Sequence, residues 1–132
     1  MLPHTADLRF LLKGDSMREL FTAGIEALAS VLKGGACTEE THDVMKRIEL
    51  SAADTTRLLI DFLSEVLVRS QTEGIIYCDV TFRDLTEMHL DAEIRGVRVH
   101  QFDTDVKAVT YHEARVENDA DGWYTSRVVL DI

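Results

Sequence analysis

The chain has 132 residues, of which 45% are hydrophobic and 29% are charged. These values predict one globular domain over residues 1–132 and exclude a disordered or fibrous chain. Acidic residues outnumber basic ones by 24 to 14, which gives a net charge of −10. Since binding to a phosphate backbone depends on lysine and arginine, we expect no tight binding to RNA by this chain alone, and the acidity suits cations or a basic protein partner.

The sequence also predicts a protein of the reducing cytoplasm with no membrane association. No apolar run is long enough to cross a bilayer, and residues 1–3 do not resemble a signal peptide. The two cysteines, Cys37 and Cys78, are too few for a disulfide framework and form no CxxC pair. Cys78 falls in an alternating strand pattern, so we expect it to be a small core residue.

The first quarter of the chain predicts a strand followed by a helix. Apolar residues alternate with other residues over 8–12, which is typical of a strand packed on one face. The pattern from Ser16 to Glu19 is a capping box at the start of a helix. Apolar residues then recur at helical spacing as far as Lys33, and the pair Gly34-Gly35 offers a left-handed exit.

A second strand and a second helix are predicted next. Residues 42–50 alternate, although Lys46 interrupts the apolar face and is best tolerated at a strand end or on an edge strand. Either Ser51 or Asp54 can cap the helix that follows, and Gly74 closes it. Each helix is apolar on one side only, so each needs a sheet to cover.

The remaining chain predicts strands. Residues 76–82 and 88–94 alternate on either side of a break at 83–85, which indicates a hairpin ended by Gly96. A polar connection follows, and residues 106–116 are ambiguous between a helical turn and a strand. We favour a turn that leads into a strand by Tyr111.

The chain ends with a hairpin and a long strand. Residues 119–122 form a strong turn signal, and residues 123–132 alternate as a last strand. Two helices among hairpin-connected strands predict the α+β class. The expected architecture is a two-layer sandwich in which a mostly antiparallel sheet carries two helices packed on one face.

Carboxylates at the two chain ends are the first functional candidates. Asp7 opens the first strand, while Asp131 and the carboxylate of Ile132 end the last strand. If the two terminal strands are adjacent, these three groups converge, and oxygen ligands of this kind favour calcium or magnesium over zinc. Alternatively, Thr5 and Asp7 simply satisfy backbone groups in the turn before the strand.

Other chemistry finds little support in the sequence. There is no phosphate-binding glycine loop, no zinc-ligand spacing and no GxSxG-like nucleophile turn. Lys107 stands between apolar residues directly after an acidic connection, where pattern alone indicates a solvated lysine on an edge. His112 is a candidate base, although an isolated histidine more often fixes a neighbour than catalyses.

Four stretches together resemble the archease family. They are the His-Thr-Ala-Asp segment at 4–7, the Glu-Leu-Phe segment at 19–21, the Lys-Ala-Val-Thr-Tyr-His segment at 107–112, and the final stretch from Gly-Trp at 122–123 to Asp-Ile at 131–132. The resemblance spans essentially the whole chain in the family's order. It implies a two-layer α+β fold.

The resemblance also implies a function. Archeases are non-enzymatic cytoplasmic helpers of the GTP- and metal-dependent tRNA-splicing RNA ligase, whose guanylylation and turnover they promote. The implied divalent cation, assigned as calcium in the family, is held by Asp7, Asp131 and the Ile132 carboxylate, and Lys107 is the residue implied to be required for activation.

Two alternatives remain open at this point. The protein could be a general interaction or chaperone-like module without ligase specificity. It could also be a metal hydrolase that uses His4 or His112 as its base. These two histidines are therefore secondary site candidates.

Overall fold

The structure, a computed structural model, describes residues 6–38 and 41–132. Seven strands and two α-helices occur in these ranges, and a short 3-10 turn at Ala36–Thr38 follows the first helix. The elements are β1 (Asp7–Gly14), α1 (Met17–Leu32), β2 (Val44–Ser51), α2 (Thr55–Glu73), β3 (Ile75–Leu85), β4 (His89–Arg98), β5 (Ala108–Thr110), β6 (Glu117–Asn118) and β7 (Tyr124–Asp131).

All strand pairs are antiparallel, and they divide into two sheets. In the first sheet β7 lies in the middle, with β1 on one side and with β5 and β6 on the other. The second sheet has the order β2-β4-β3. The predicted α+β sandwich is confirmed, and its antiparallel strands are split between these two sheets.

Both helices begin where their capping residues predict. The Ser16 side chain accepts from the Glu19 amide at 3.1 Å, and Glu19 accepts from the Asp15 amide at 2.6 Å. Asp54, rather than Ser51, caps α2, and Gly74 ends it in the left-handed conformation with φ of 71°. No helix in the described ranges combines the length and the apolarity needed to cross a membrane.

One apolar core lies between the helices and both sheets. Phe21 of α1 and Phe62 of α2 contact each other at a ring distance of 5.9 Å. Phe82 of β3 packs against them at 6.0 and 6.1 Å. Leu12 of β1 and Val128 of β7 extend the same buried cluster into the first sheet. The core therefore packs against one face of the first sheet, and the side chains that alternate with Leu12 and Val128 project from the opposite, outer face.

Gly96 does not end β4 as predicted. The strand passes through it to Arg98, and the reason for glycine here is close packing against β3. A Cβ at this position would lie 2.1 Å from the Ile76 carbonyl oxygen, which no side chain can occupy. The predicted break at 83–85 is also wrong, because β3 continues to Leu85 across a register shift.

The prediction for residues 106–116 had the order of its two parts reversed. The strand comes first, as β5, and its Ala108 lies opposite Asp131. The turn follows, where the Ala114 amide donates to the Tyr111 carbonyl at 3.1 Å and Glu113 has a φ of 59°. β7 offers hydrogen-bonding groups to β5, and this non-local pairing overrides the local pattern.

The predicted hairpin at 119–122 is confirmed. The Asp119 amide donates to the Trp123 carbonyl at 2.8 Å, and Gly122 has the positive φ of 88° that such a turn requires. The turn connects β6 to β7 and brings the chain back across the first sheet.

The two cysteines form a disulfide, so the expectation that they act singly is wrong. Cys78 is buried as predicted, but it is bonded to Cys37 with a Cα–Cα distance of 5.5 Å. Their separation of 41 residues carries no local signal. The partners meet only because the 3-10 turn packs against the second sheet.

The disulfide should stabilise the fold measurably. Cys37→Ala should lower the free energy of unfolding by up to about 4 kcal/mol, since the bond closes a loop of this length in the unfolded chain. Urea unfolding with and without dithiothreitol measures the effect. Reductant should weaken the parent and leave Cys37→Ala unchanged, and a parent that is equally stable in both states would contradict the prediction.

Candidate functional site

Asp7 and Asp131 lie directly opposite each other on β1 and β7. The predicted adjacency of the first and last strands is therefore confirmed. Directly opposed residues of an antiparallel pair project to the same face of the sheet. Leu8 and Leu130, the next pair along, pack against the core, so the two aspartates belong to the outer face.

The hydrogen-bonding register brings the two aspartates especially close. The Ile132 amide donates to the Ala6 carbonyl at 3.0 Å, which makes that position a hydrogen-bonded pair. The next position, Asp7 with Asp131, is then a non-hydrogen-bonded pair, the type in which Cα atoms are about 4.5 Å apart and side chains are closest.

This acidic pair is only partly neutralised. Among the described residues, Asp7 has one loose ion pair, with Arg9 at 3.7 Å, and 36% of its side chain is exposed. Asp131 is half-buried and makes no side-chain hydrogen bond or ion pair with any residue that the structure describes. Like charges that face each other across strands are destabilising. The pair therefore provides oxygen donors and excess negative charge at one place.

Ile132 continues the line of β7 next to this pair. Its side chain packs against the core and its amide donates to the Ala6 carbonyl, so both the side chain and the backbone nitrogen of this residue are held in place. Within 6–38 and 41–132, no three His, Cys, Asp or Glu side chains form a group suited to a metal. The third ligand predicted from the sequence is the main-chain carboxylate of Ile132, and a hard cation is the metal that oxygen donors of this kind suit.

The backbone of Lys107 lies next to the acidic pair. Its amide donates to the Asp131 carbonyl at 2.7 Å. Its side chain is exposed and forms no ion pair with the described residues. The same connection is held by Gln71 of α2, whose side-chain amide donates to the Val106 carbonyl at 2.6 Å. The structure thus fixes the base of Lys107 and leaves its ammonium in solvent.

The two secondary histidines add little to this arrangement. His4 lies outside the described residues. His112 is 67% exposed, and its Nε2 atom is 3.7 Å from Glu113. It has no contact with Asp7 or Asp131, so the structure gives the hydrolase alternative no support through His112.

An ionic link on the outer face was not anticipated. Arg9 donates to Glu113 at 2.7 Å, and Arg127 approaches the same carboxylate at 3.5 Å. The hydrogen bond from Arg9 holds the pKa of Glu113 below its ordinary value. Arg9 could have been noticed because it shares a strand face with Asp7. Glu113 could not, since 104 residues separate it from Arg9.

Comparison with known proteins identifies the family. The profile of the archease protein family (MTH1598/TM1083) matches residues 1–132. The chain belongs to the archease family. The resemblance inferred from its sequence motifs is therefore confirmed.

Archeases of several archaea align with nearly the whole chain. Protein archease of Methanosarcina acetivorans is 31% identical over 140 residues, covering 99% of this chain and 93% of the relative. Protein archease of Pyrococcus abyssi is 32% identical over 136 residues, covering 98% and 94% respectively.

Solved structures of archeases share the fold. The solution structure of Methanobacterium thermoautotrophicum protein 1598 has a TM-score of 0.75 at 29% identity, covering 99% of this chain and 96% of its own. The crystal structure of a Thermotoga maritima archease, described as a possible chaperone, has a TM-score of 0.72 at 20% identity. It covers 100% of this chain and 95% of its own. The second likeness shows the fold alone.

Removing one charge of the acidic pair should stabilise this archease when no divalent cation is present. Asp131→Asn should raise the free energy of unfolding by about 0.5 kcal/mol, because it relieves like-charge repulsion across β1 and β7. Urea unfolding in EDTA measures the change. Asp43→Asn, at an exposed aspartate, is the matched control and should have no effect. A loss of stability in Asp131→Asn would show that the pair is not repulsive.

Proposed function

We propose that this archease is a metal-binding accessory protein, without enzymatic activity of its own, that activates the GTP-dependent tRNA-splicing RNA ligase. In this role it promotes guanylylation of the ligase and multiple turnover in tRNA splicing. The observation that carries the proposal is the close, partly neutralised pair of Asp7 and Asp131 on the outer face of the sheet. Membership of the archease family supports it.

The proposed ligands are the carboxylates of Asp7, Asp131 and Ile132. Two of these side chains already face each other in register, so little reorganisation of the backbone is needed to bind a cation. The bound ion, calcium in this proposal, supplies positive charge that offsets the repulsion between the carboxylates. Arg9 stays paired with Glu113 at 2.7 Å and therefore competes only weakly for Asp7.

Lys107 is proposed to be the group that acts on the ligase. Its amide is bonded to the Asp131 carbonyl, so its position depends on the same strand that carries the metal ligand. Its solvated ammonium is then available to the nucleotide site of the ligase. The net charge of −10 favours contact with protein over RNA. The proposed location is the cytoplasm, without membrane association.

The metal proposal predicts carboxylate-dependent calcium binding. Asp7→Asn and Asp131→Asn should each weaken calcium binding by about tenfold or more, because each removes a charged oxygen ligand. Isothermal titration calorimetry with calcium chloride measures the affinity, and Asp43→Asn is again the matched control. If Asp7→Asn and Asp131→Asn bind calcium as tightly as the parent and the control do, the calcium site is not at this pair.

The contribution of Ile132 is separable in the same assay. One glycine added after Ile132 displaces the terminal carboxylate while both aspartates stay in place. Calcium affinity should fall in this extended variant. An unchanged affinity would remove Ile132 from the ligand set without affecting the other two residues.

The activation proposal predicts a selective effect of Lys107→Ala. This variant should abolish stimulation of ligase guanylylation, measured as transfer of labelled GMP from GTP to the ligase, and should leave calcium affinity and thermal unfolding unchanged. Lys107→Arg should restore little, since a planar guanidinium differs from a compact ammonium. Lys46→Ala, at an exposed lysine of β2, is the control for loss of a lysine charge at the surface. Full stimulation by Lys107→Ala would make Lys107 a solvated edge residue.

The chaperone-like module is the second candidate, because a Thermotoga maritima relative is described as a possible chaperone. The same assay separates the two. Stimulation that needs Lys107 and calcium supports the ligase role. Protection of unrelated proteins from aggregation, with no effect on guanylylation, supports the chaperone role instead.

A further inference from the structure

β1 has a free hydrogen-bonding edge in the described structure. It pairs with β7 on one side and has no strand on the other. The bond from the Ile132 amide to Ala6 fixes the alternation along the pair. Residues 8, 10, 12 and 14 direct their backbone groups to β7, and Arg9, Leu11 and Lys13 direct theirs outward.

The side chains beside this edge are apolar at the centre and basic on both sides. Leu11 is 70% exposed, more than the other large apolar side chains of the described residues that lie in solvent. It is flanked on its own strand by Arg9 and Lys13. Arg127 lies opposite Leu11 on β7 and is 3.5 Å from Glu113, the carboxylate that also accepts from Arg9. One carboxylate thus offsets part of the charge of these two arginines, and Lys13 keeps its full charge.

Lys13 differs from most basic residues of this protein. Its ammonium lies 4.5 Å from the centre of the Trp123 ring, and it has no carboxylate partner in the described structure. On β1, Arg9 has carboxylate partners in Glu113 at 2.7 Å and Asp7 at 3.7 Å, so among the described residues Lys13 is the basic residue of this strand without one.

On the edge strand β2 of the other sheet, both basic residues are paired. There Arg47 is bonded twice to Asp91 at 2.9 Å, and Lys46 is 3.8 Å from Glu73.

The charges of β1 disfavour pairing between two copies of this chain. In an antiparallel pair centred on Leu11, Arg9 of one copy would lie opposite Lys13 of the other. Basic residues on an edge strand are a known defence against such self-association. The complementary occupant is an extended segment with an acidic residue opposite Lys13, which has no carboxylate partner in the part of the chain that the structure describes, and an apolar residue opposite Leu11. A second acidic residue, two positions beyond the apolar one, lies opposite Arg9 and can share it with Glu113.

We infer that the free edge of β1 is a docking site for an acidic, extended segment of a partner protein, which adds to the first sheet as a further strand. Main-chain hydrogen bonds to Arg9, Leu11 and Lys13 provide affinity, and the alternate side chains provide selectivity. Phe10 is half-buried beside the edge and packs against the core, so apolar residues between the acids gain a surface on the inner side. This contact goes beyond the proposed ligase activation and needs no metal.

The test is a titration of the full, isotope-labelled chain with a blocked nonapeptide, Gly-Ser-Glu-Val-Leu-Val-Glu-Ser-Gly, followed by NMR. Amide signals of Arg9, Leu11 and Lys13 should shift, and their hydrogen exchange should slow. Lys13→Glu should weaken binding by at least about tenfold at low salt, because like charges then meet. Lys46→Glu, on the β2 edge, makes the same charge change and should have no effect. A peptide with lysine in place of both glutamates should not bind.

Leu11→Pro provides an independent check. It removes an amide that points away from β7, so the fold should persist while strand addition is blocked. If this variant does not fold, Lys13→Glu and the lysine peptide still decide the question. Equal binding of both peptides, shifts confined to other surfaces, or protection of the β1 edge by self-association without peptide would each overturn the inference.

Discussion

The antiparallel pairing of β1 with β7 is the constraint on which the rest of this archease depends. It fixes the opposition of Asp7 and Asp131 and places Ile132 opposite Ala6. The other edge of β7 pairs with β5, and there the Asp131 carbonyl accepts from the Lys107 amide. The core holds the sheet from one side only, so polar chemistry is collected on the other. The same β1–β7 register sets two features of this sheet. The acidic pair lies at the end of the paired strands, and the outward-facing residues around Leu11 lie near their middle.

The sequence predicted those features whose signals are local or terminal. Ser16 marked the start of the first helix and Gly74 the end of the second. Both could be predicted because helix capping and the left-handed exit depend on the identity of only one or two residues. Asp7 and Asp131 were predicted to meet because each begins or ends a strand pattern. Motif resemblance supplied the family, which composition and periodicity could not have done. It also supplied Lys107, which pattern alone would have left as a solvated residue.

The features that sequence missed depend on contacts between distant segments. Gly96 resembled a strand end, yet glycine is needed there because any Cβ would collide with the carbonyl oxygen of Ile76 on β3. Residues 106–116 were predicted in the wrong order because the pairing of β5 with β7 overrides local preference. Cys37 and Glu113 have no neighbouring signal at all, since their partners are set by how separate elements pack. In the proposed cytoplasmic setting, reducing conditions would break the bond between Cys37 and Cys78. Packing in the apolar core would then be what keeps the second sheet in place.

The position of β7 has a consequence for the assembly of the protein. The second sheet contains β2, β3 and β4, which follow one another along the chain. The loops that must close to pair these strands are therefore short, and the entropy lost in closing them is small. The first sheet instead needs its central strand, β7, which follows the other described strands in the sequence. Until it arrives, β1 and β5 have no common neighbour and Asp7 has no opposing carboxylate. A nascent chain without β7 thus lacks both the sheet and the acidic pair, so this surface forms only after β7 has joined β1 and β5.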